Sequence, residues 1–147
     1  MKRYSTKERL FWKVNQDLEN NDLNKAISRL ESSLQFNILD ATYRKKLGNL
    51  YLQKNNLIKA GKYFYLLENK SQTEVKAIEA FEKFFGNDPI LICKNIVTKS
   101  HFAFSILSNF EKDVFRNLLF DIHSKFGVTP NFLKGLERHL KKKYLKK

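Results

Sequence analysis

Two segments of the chain, residues 20–30 and 54–64, repeat one pattern at a spacing of 34 residues. They read NNDLNKAISRL and KNNLIKAGKYF, and a leucine, a lysine and an alanine stand at matching positions in both. A fixed period of this length is typical of stacked helical hairpins, because one hairpin alone cannot bury its apolar face. The period therefore predicts an all-α fold before any single helix is assigned.

Length and composition agree with this prediction. The chain has 147 residues, of which 42% are hydrophobic, and only five are glycine and two proline. So few turn-forming residues leave little room for a β-fold, and so much apolar surface excludes a disordered chain. We expect a single domain over residues 1–147.

The second of the two units resembles the tetratricopeptide repeat. Leu47-Gly48 and Tyr51 occupy the positions of its first-helix leucine-glycine and tyrosine, while Ala60 and Phe64 occupy those of its second-helix small residue and aromatic. The first unit keeps fewer of these residues. The resemblance implies two tetratricopeptide-like repeats in residues 1–70, followed in residues 71–147 by a divergent helical cap with a basic C-terminal helix.

Helix start and stop signals predict about eight helices, near residues 6–20, 23–36, 41–54, 57–69, 73–85, 89–98, 109–126 and 130–145. Capping boxes are expected at Ser5-x-x-Glu8, Ser71-x-x-Glu74 and Ser108-x-x-Glu111. Asp88-Pro89 and Thr129-Pro130 predict an N-cap followed by a first-turn proline, and Gly86 and Gly127 suit helix ends. Residues 98–107 fit a helix or an extended segment equally well.

The repeat resemblance also implies a binding surface, since the first helix of each tetratricopeptide hairpin lines a concave groove. The groove residues would be Phe11, Asn15, Lys45, Asn49 and Gln53. Phe11 stands where carboxylate-gripping repeats have a lysine, so no carboxylate clamp is expected. Trp12 points away from the apolar stripe of its helix, and two interpretations stay open: another segment covers it, or it anchors a partner.

Charge is concentrated at the two ends of the chain. The net charge is +4 in residues 1–13 and +6 in residues 134–147, out of a total of +13. The last helix is amphipathic, so it could dock on its own domain, lie on an anionic membrane or fit a partner groove. Its basic tail, Lys141, Lys142 and Lys143, could also neutralise phosphates, which makes nucleic-acid binding the alternative function.

Sequence patterns for catalysis, metal binding and phosphate binding are missing from the chain. We find no glycine-rich phosphate loop, nucleophile elbow or zinc-binding histidine pair, and His101, His123 and His139 are scattered. Cys93 lies in an apolar run and is expected to be buried and inert. We therefore expect no enzyme, cofactor or metal, although an unrecognised active site remains an alternative. The chain shows no membrane span and no signal peptide, so a cytoplasmic protein is expected.

The segment LIKAGKYFYLLE, residues 57–68, sets a small-residue notch beside three aromatic rings. Tyr63 and Tyr65 lie about 200° apart on a helix and cannot line one pocket. The segment therefore predicts a packing joint and not an active site. We expect Ala60 and Gly61 to let the preceding helix approach closely.

A narrower resemblance runs through residues 47–97. The pieces that carry it are Leu50-Tyr51, Ala60-Gly61-Lys62-Tyr63, Tyr65-Leu66, Ala80-Phe81-Glu82 and Asp88-Pro89. They are similar to a family of small bacterial proteins of unknown function (domain of unknown function 6584), which brings no assigned activity. Our expectation is a non-enzymatic module that binds a protein or peptide, as an immunity or adaptor protein for a toxin would; an acidic partner would suit its charge.

Overall fold

The computed structural model describes residues 6–34, 40–96 and 107–144, with side chains described as far as Leu140. These residues form eight α-helices and one 3-10 turn, and they contain no strand. The helices are α1 Thr6–Glu19, α2 Leu23–Leu34, α3 Ala41–Gln53, α4 Leu57–Phe64, α5 Gln72–Phe84, α6 Pro89–Ile96, α7 Asn109–Phe126 and α8 Lys134–Tyr144, with the 3-10 turn Asn131–Leu133 before α8. The predicted all-α fold is confirmed for this part of the chain.

The turns that follow α1 and α3 have the same backbone geometry. Asn21 and Asn55, which are 34 residues apart, both adopt a left-handed conformation, with φ of 56° and 59°. In each turn the next residue donates its N–H to a carbonyl five residues back, at 2.8 Å from Asp17 and 2.9 Å from Tyr51. That next residue, Asp22 or Asn56, then accepts the N–H of the residue three positions on, at 3.1 Å in both turns.

Buried side chains in the described residues form two hydrophobic clusters. The first fills the space between α1, α2, α3 and α4, and includes Val14, Leu30, Leu47 and Phe64. Gly48 of α3 lies directly under the Phe64 ring, because a Cβ added at Gly48 would lie 2.1 Å from that ring. Helix α3 therefore packs on α4 at a distance that no larger residue would allow.

A half-buried carboxylate joins three helices of the first cluster. Glu31 of α2 accepts hydrogen bonds from the hydroxyls of Tyr51 and Tyr63, at 3.0 and 2.8 Å. The two tyrosine rings stack, with centroids 5.6 Å apart. Burial, reinforced by the negative charge of Glu31, raises the pKa of Tyr51 to about 12 and also raises the pKa of Tyr63.

The second cluster lies between α5, α6, α7 and α8. Its fully buried members include Phe81, Cys93, Phe115 and Leu133. Helix α5 belongs to both clusters, since its Ala77 and Ile78 face the first and its Phe81 faces the second. This shared helix makes the two cores continuous.

The small residue Gly61 contacts a different helix from the one predicted. A Cβ added at Gly61 would lie 2.0 Å from the carbonyl oxygen of Ala77, so the helix that approaches is the following one, α5. The prediction that Gly61 admits the preceding helix is therefore wrong. Gly48 makes the close approach between α3 and α4 instead.

Helix α4 is shorter than predicted: it ends at Phe64, whereas the prediction placed its end near residue 69. The chain turns there, with the Leu67 N–H donating to the Phe64 carbonyl at 3.0 Å. Leu66 then packs in the second cluster and Leu67 in the first. The turn allows these two adjacent residues to be buried in different clusters.

Most of the predicted caps are confirmed. Ser71 and Ser108 form complete capping boxes, and the Asp88 side chain accepts the Ile90 N–H at 2.9 Å. Thr129 does not cap the last helix as predicted: its hydroxyl bonds Glu137, and a 3-10 turn without a side-chain cap follows Pro130. Ser5 and residues 98–106, for which we also made predictions, lie outside the described residues.

Candidate interaction surfaces

The first half of α1 contacts the start of α3 through side chains. The Phe11 and Tyr43 rings are 5.2 Å apart, and the Lys7 ammonium lies 2.9 Å from Asp40 and 5.7 Å from the Tyr43 ring. Burial alone would raise the pKa of Asp40, but the hydrogen bonds from Lys7 and Thr42 outweigh it and lower this pKa. We call the surface predicted from the groove positions of these two helices the α1/α3 face (Phe11, Asn15, Lys45, Asn49 and Gln53).

The predicted groove residues on this face are exposed, with one exception. Lys45, Asn49 and Gln53 follow one another at single-turn intervals along α3, and Asn15 lies one turn after Phe11 on α1. Phe11 is half-buried against Tyr43 and so serves packing as well. Trp12 is 63% exposed, so the described residues leave most of it uncovered, while the N-terminal arm lies outside them.

The apolar stripe of α8 docks on the body of the protein. Leu133, Leu136 and Leu140 are buried in the second cluster, whereas Lys134 and Arg138 are exposed. Of the three docking modes left open, packing on its own domain is the one observed. The backbone of Lys141, Lys142 and Lys143 continues α8, while their side chains lie outside the described part of the chain.

Two kinds of group that could do chemistry are accounted for in the described residues: the Cys93 thiol and possible metal ligands. Cys93 is buried, as predicted, and burial raises the pKa of its thiol to about 12, which favours the protonated form. No cluster of three histidine, cysteine, aspartate or glutamate side chains could hold a metal ion in this part of the chain. None of the described helices combines the length and apolar character needed to cross a bilayer.

His123 and Asp121 do not pair, in agreement with their spacing along α7. The His123 ring nitrogen Nε2 instead lies 2.9 Å from Glu137 of α8 and 2.6 Å from the Thr129 hydroxyl. The sequence did not predict this contact, because it joins residues from two helices and the turn between them. It fixes the α7–α8 turn and places no reactive group in a pocket.

An acidic cleft of about 370 Å³ lies between α5 and α7. Glu79, Glu82 and Asp121 contribute carboxylates to its wall, together with the Tyr65 hydroxyl and the Lys70 ammonium. Burial and the charge of Glu79 raise the pKa of Glu82. The cleft contrasts with the basic character of the chain, and sequence reasoning missed it because Glu79 and Glu82 alone look like the solvated face of an ordinary helix.

Comparison with known proteins covers more of the chain than residues 47–97, the segment that carries the sequence resemblance. No curated protein and no solved structure matches the chain significantly. One family model matches residues 5–113, from the start of α1 to the first turn of α7, and so includes the weaker first repeat unit as well as residues 47–97. The chain therefore belongs to this family of unknown function, DUF6584.

Proposed function

We propose that the chain is a non-enzymatic interaction module that binds another protein or a peptide on its α1/α3 face. The observation that carries the proposal is the exposed row of Lys45, Asn49 and Gln53 along α3, the helix that contacts Phe11 of α1 through Tyr43. Such a row combines amide donors and acceptors with one positive charge, and polar groups of this kind take part in protein interfaces. Trp12, with 63% exposure, extends the apolar part of the surface at the side of α1.

We interpret α1–α4 as two tetratricopeptide-like hairpins and α5–α8 as their helical cap. The matching turns at Asn21 and Asn55 support this interpretation, as do their 34-residue spacing and equal capping distances. The contact between α1 and α3 also fits, because the first helices of successive hairpins are neighbours in that repeat class. The α1/α3 face would then be the groove side of the stack.

Within this class of function we favour a toxin-neutralising immunity protein or an adaptor that acts in the cytoplasm. The support is analogy at the level of fold and size. The formal charge of +13 adds a preference for an acidic partner domain, because like charges across an interface are costly.

The test is a site-specific capture. A photo-crosslinking residue in place of Asn49 should trap a discrete protein from the native cell, while the same residue in place of Lys76, exposed on α5, should not. Lys45→Glu should then weaken binding of the identified partner by about tenfold, as expected for one well-placed charge. Lys76→Glu, the matched control, should leave the affinity unchanged. Equal capture from both positions, or equal affinity for both variants, would exclude the α1/α3 face.

Nucleic-acid association through the basic C-terminal helix is the second candidate. The observation in its favour is the exposure of Lys134 and Arg138 just before Lys141, Lys142 and Lys143. Binding of this kind weakens steeply with salt, because it depends on counterion release. If RNA or DNA binds at low salt and the triple change of Lys141, Lys142 and Lys143 to Ala abolishes it, while no protein is captured at Asn49, this candidate replaces the first.

A further inference from the structure

The turn that joins α7 to α8 holds three large apolar side chains in solvent. Phe126, Val128 and Phe132 are 49%, 67% and 47% exposed, and all lie within residues 126–132, which we call the α7–α8 tip. Side chains exposed to this degree add little to the stability of the core. Several of them in one short segment are typical of a surface that meets an apolar phase or a partner.

Hydrogen bonds and a buried side chain hold the tip in place as a reversal of the chain direction. Gly127 adopts a left-handed conformation with φ of 75°, and its N–H donates to the His123 carbonyl at 3.0 Å. The contacts of His123 and Thr129 with Glu137 tie the end of α7 to α8 across the turn. Leu133, directly after the tip, is fully buried and anchors its other end. The exposed rings are therefore held outward by the surrounding structure.

Positive charge surrounds the tip. Lys125 immediately precedes it, and the exposed Lys134 and Arg138 follow on α8. The one carboxylate of α8, Glu137, is engaged by His123 and Thr129. Asp121, the nearest carboxylate before the tip on α7, lines the acidic cleft. The tip therefore presents exposed apolar side chains between Lys125, whose ammonium donates to the Asn87 carbonyl, and the exposed Lys134 and Arg138.

We propose that the α7–α8 tip docks the protein on an anionic lipid bilayer. Phe126, Val128 and Phe132 enter the interfacial region, while Lys125, Lys134 and Arg138 remain at the level of the negatively charged headgroups. Charge complementarity favours an anionic bilayer over a protein partner, since a protein would need a matching apolar pocket lined by acidic residues. This docking goes beyond the proposed interaction function, because it adds a lipid surface to the partners of the chain.

Co-sedimentation with lipid vesicles tests the proposal. The protein should bind phosphatidylcholine vesicles that contain about 30% phosphatidylserine and should not bind pure phosphatidylcholine, since anionic lipid supplies the attraction. The double variant F126S/F132S should bind anionic vesicles about tenfold or more weakly, because it lacks the two rings that enter the interfacial region. The matched control is F120S: Phe120 is 65% exposed on the same helix but lies outside the tip. It should bind like the unmodified protein.

Insertion of the ring can be measured separately. In the variant W12F/F132W, the only tryptophan sits in the tip, and its fluorescence should be quenched by lipids brominated on their acyl chains.

The proposal is overturned if anionic vesicles do not bind, or if binding needs Lys134 and Arg138 but is unaffected by F126S/F132S. Absence of quenching in a vesicle-bound W12F/F132W protein would overturn it equally, and this measurement decides the matter if F126S/F132S fails to fold. Preferential binding of RNA or DNA over vesicles by the same basic residues would also contradict it.

Discussion

At the scale of single residues, two glycines set the spacing of three helices. Gly61→Ala would force a methyl group against the Ala77 backbone carbonyl, 2.0 Å from the added carbon, and backbone cannot move aside locally. We expect a loss of about 1–3 kcal/mol or more in the free energy of unfolding, as for overpacked cores. Chemical denaturation measures it, and unchanged stability would mean that α4 and α5 are not in the contact described.

Gly48→Ala provides an informative comparison, because the obstacle there is the Phe64 side chain and not backbone. The single change should destabilise by a similar amount, about 1–3 kcal/mol. Adding Phe64→Leu should recover part of that loss, so the two substitutions should be non-additive. Strict additivity would show that the ring and the glycine are not in contact.

The two tyrosines that bind Glu31 predict how stability depends on pH. Their pKa values are raised in the folded state, to about 12 for Tyr51, so the folded protein holds these protons more tightly than the unfolded chain, whose tyrosine pKa is about 10. This contribution is therefore fully present below pH 10 and is lost as the pH rises from about 10 to 12 and beyond. Denaturation at several alkaline pH values should show the decline. The variant Y51F/Y63F should show a shallower decline over the same range, although it starts from a lower stability; an identical slope would contradict the assignment.

At the scale of helices, local chemistry explains what the sequence could predict. Ser71, Ser108 and Asp88 cap their helices as predicted, because each interaction involves residues at most three positions apart. The end of α4 could not be predicted in this way, since Leu66 and Leu67 are directed to different clusters only in the assembled fold. Thr129 had a local cap pattern, yet Glu137 from α8 and His123 from α7 provide a tertiary alternative.

The capping box of α5 should contribute measurably to stability. Ser71→Ala removes the acceptor of the Glu74 N–H, which lies at 3.2 Å, and should cost about 1 kcal/mol. Ser71→Asp keeps an acceptor at the same position and should remain close to the unmodified protein. Thermal unfolding distinguishes the two, and equal melting temperatures for both variants would show that the cap is unimportant to α5.

At the scale of the whole molecule, one buried ion pair joins the α1–α4 half to the cap. The Arg44 guanidinium of α3 lies 3.5 Å from Glu111 of α7, and both side chains are buried. Burial lowers the pKa of Arg44, while Glu111 opposes the shift. Glu111 also completes the cap of α7 through its other carboxylate oxygen.

Removing one member of this pair should lower the free energy of unfolding more than removing both. Arg44→Met leaves a buried carboxylate without its cation and should cost about 3–5 kcal/mol. The double variant R44M/E111Q should be less destabilised than the sum of the single changes, as measured by denaturant unfolding. A purely additive result would indicate that the two groups do not interact.

The candidate surfaces were predictable to different degrees. The exposed row Lys45, Asn49 and Gln53 follows from helical spacing once the repeat resemblance assigns α3 to the groove. The acidic cleft could not be predicted in this way, because Glu82 and Asp121 are far apart in the chain and line one cleft only in the folded protein. The tip also escaped prediction, since a sequence pattern does not tell that Leu133 is buried while the neighbouring Phe132 is 47% exposed.

The position of α5 in both hydrophobic clusters has a practical consequence. If one helix completes two cores, neither core can melt while the other stays folded, so we expect heat to unfold the chain in a single transition. By mass action, any molecule that binds the folded state raises the temperature of that transition, wherever it binds. A ligand of the α1/α3 face and one of the distant α7–α8 tip would then both register in the same thermal-shift measurement, which makes this simple assay a suitable first screen for the partners of the chain.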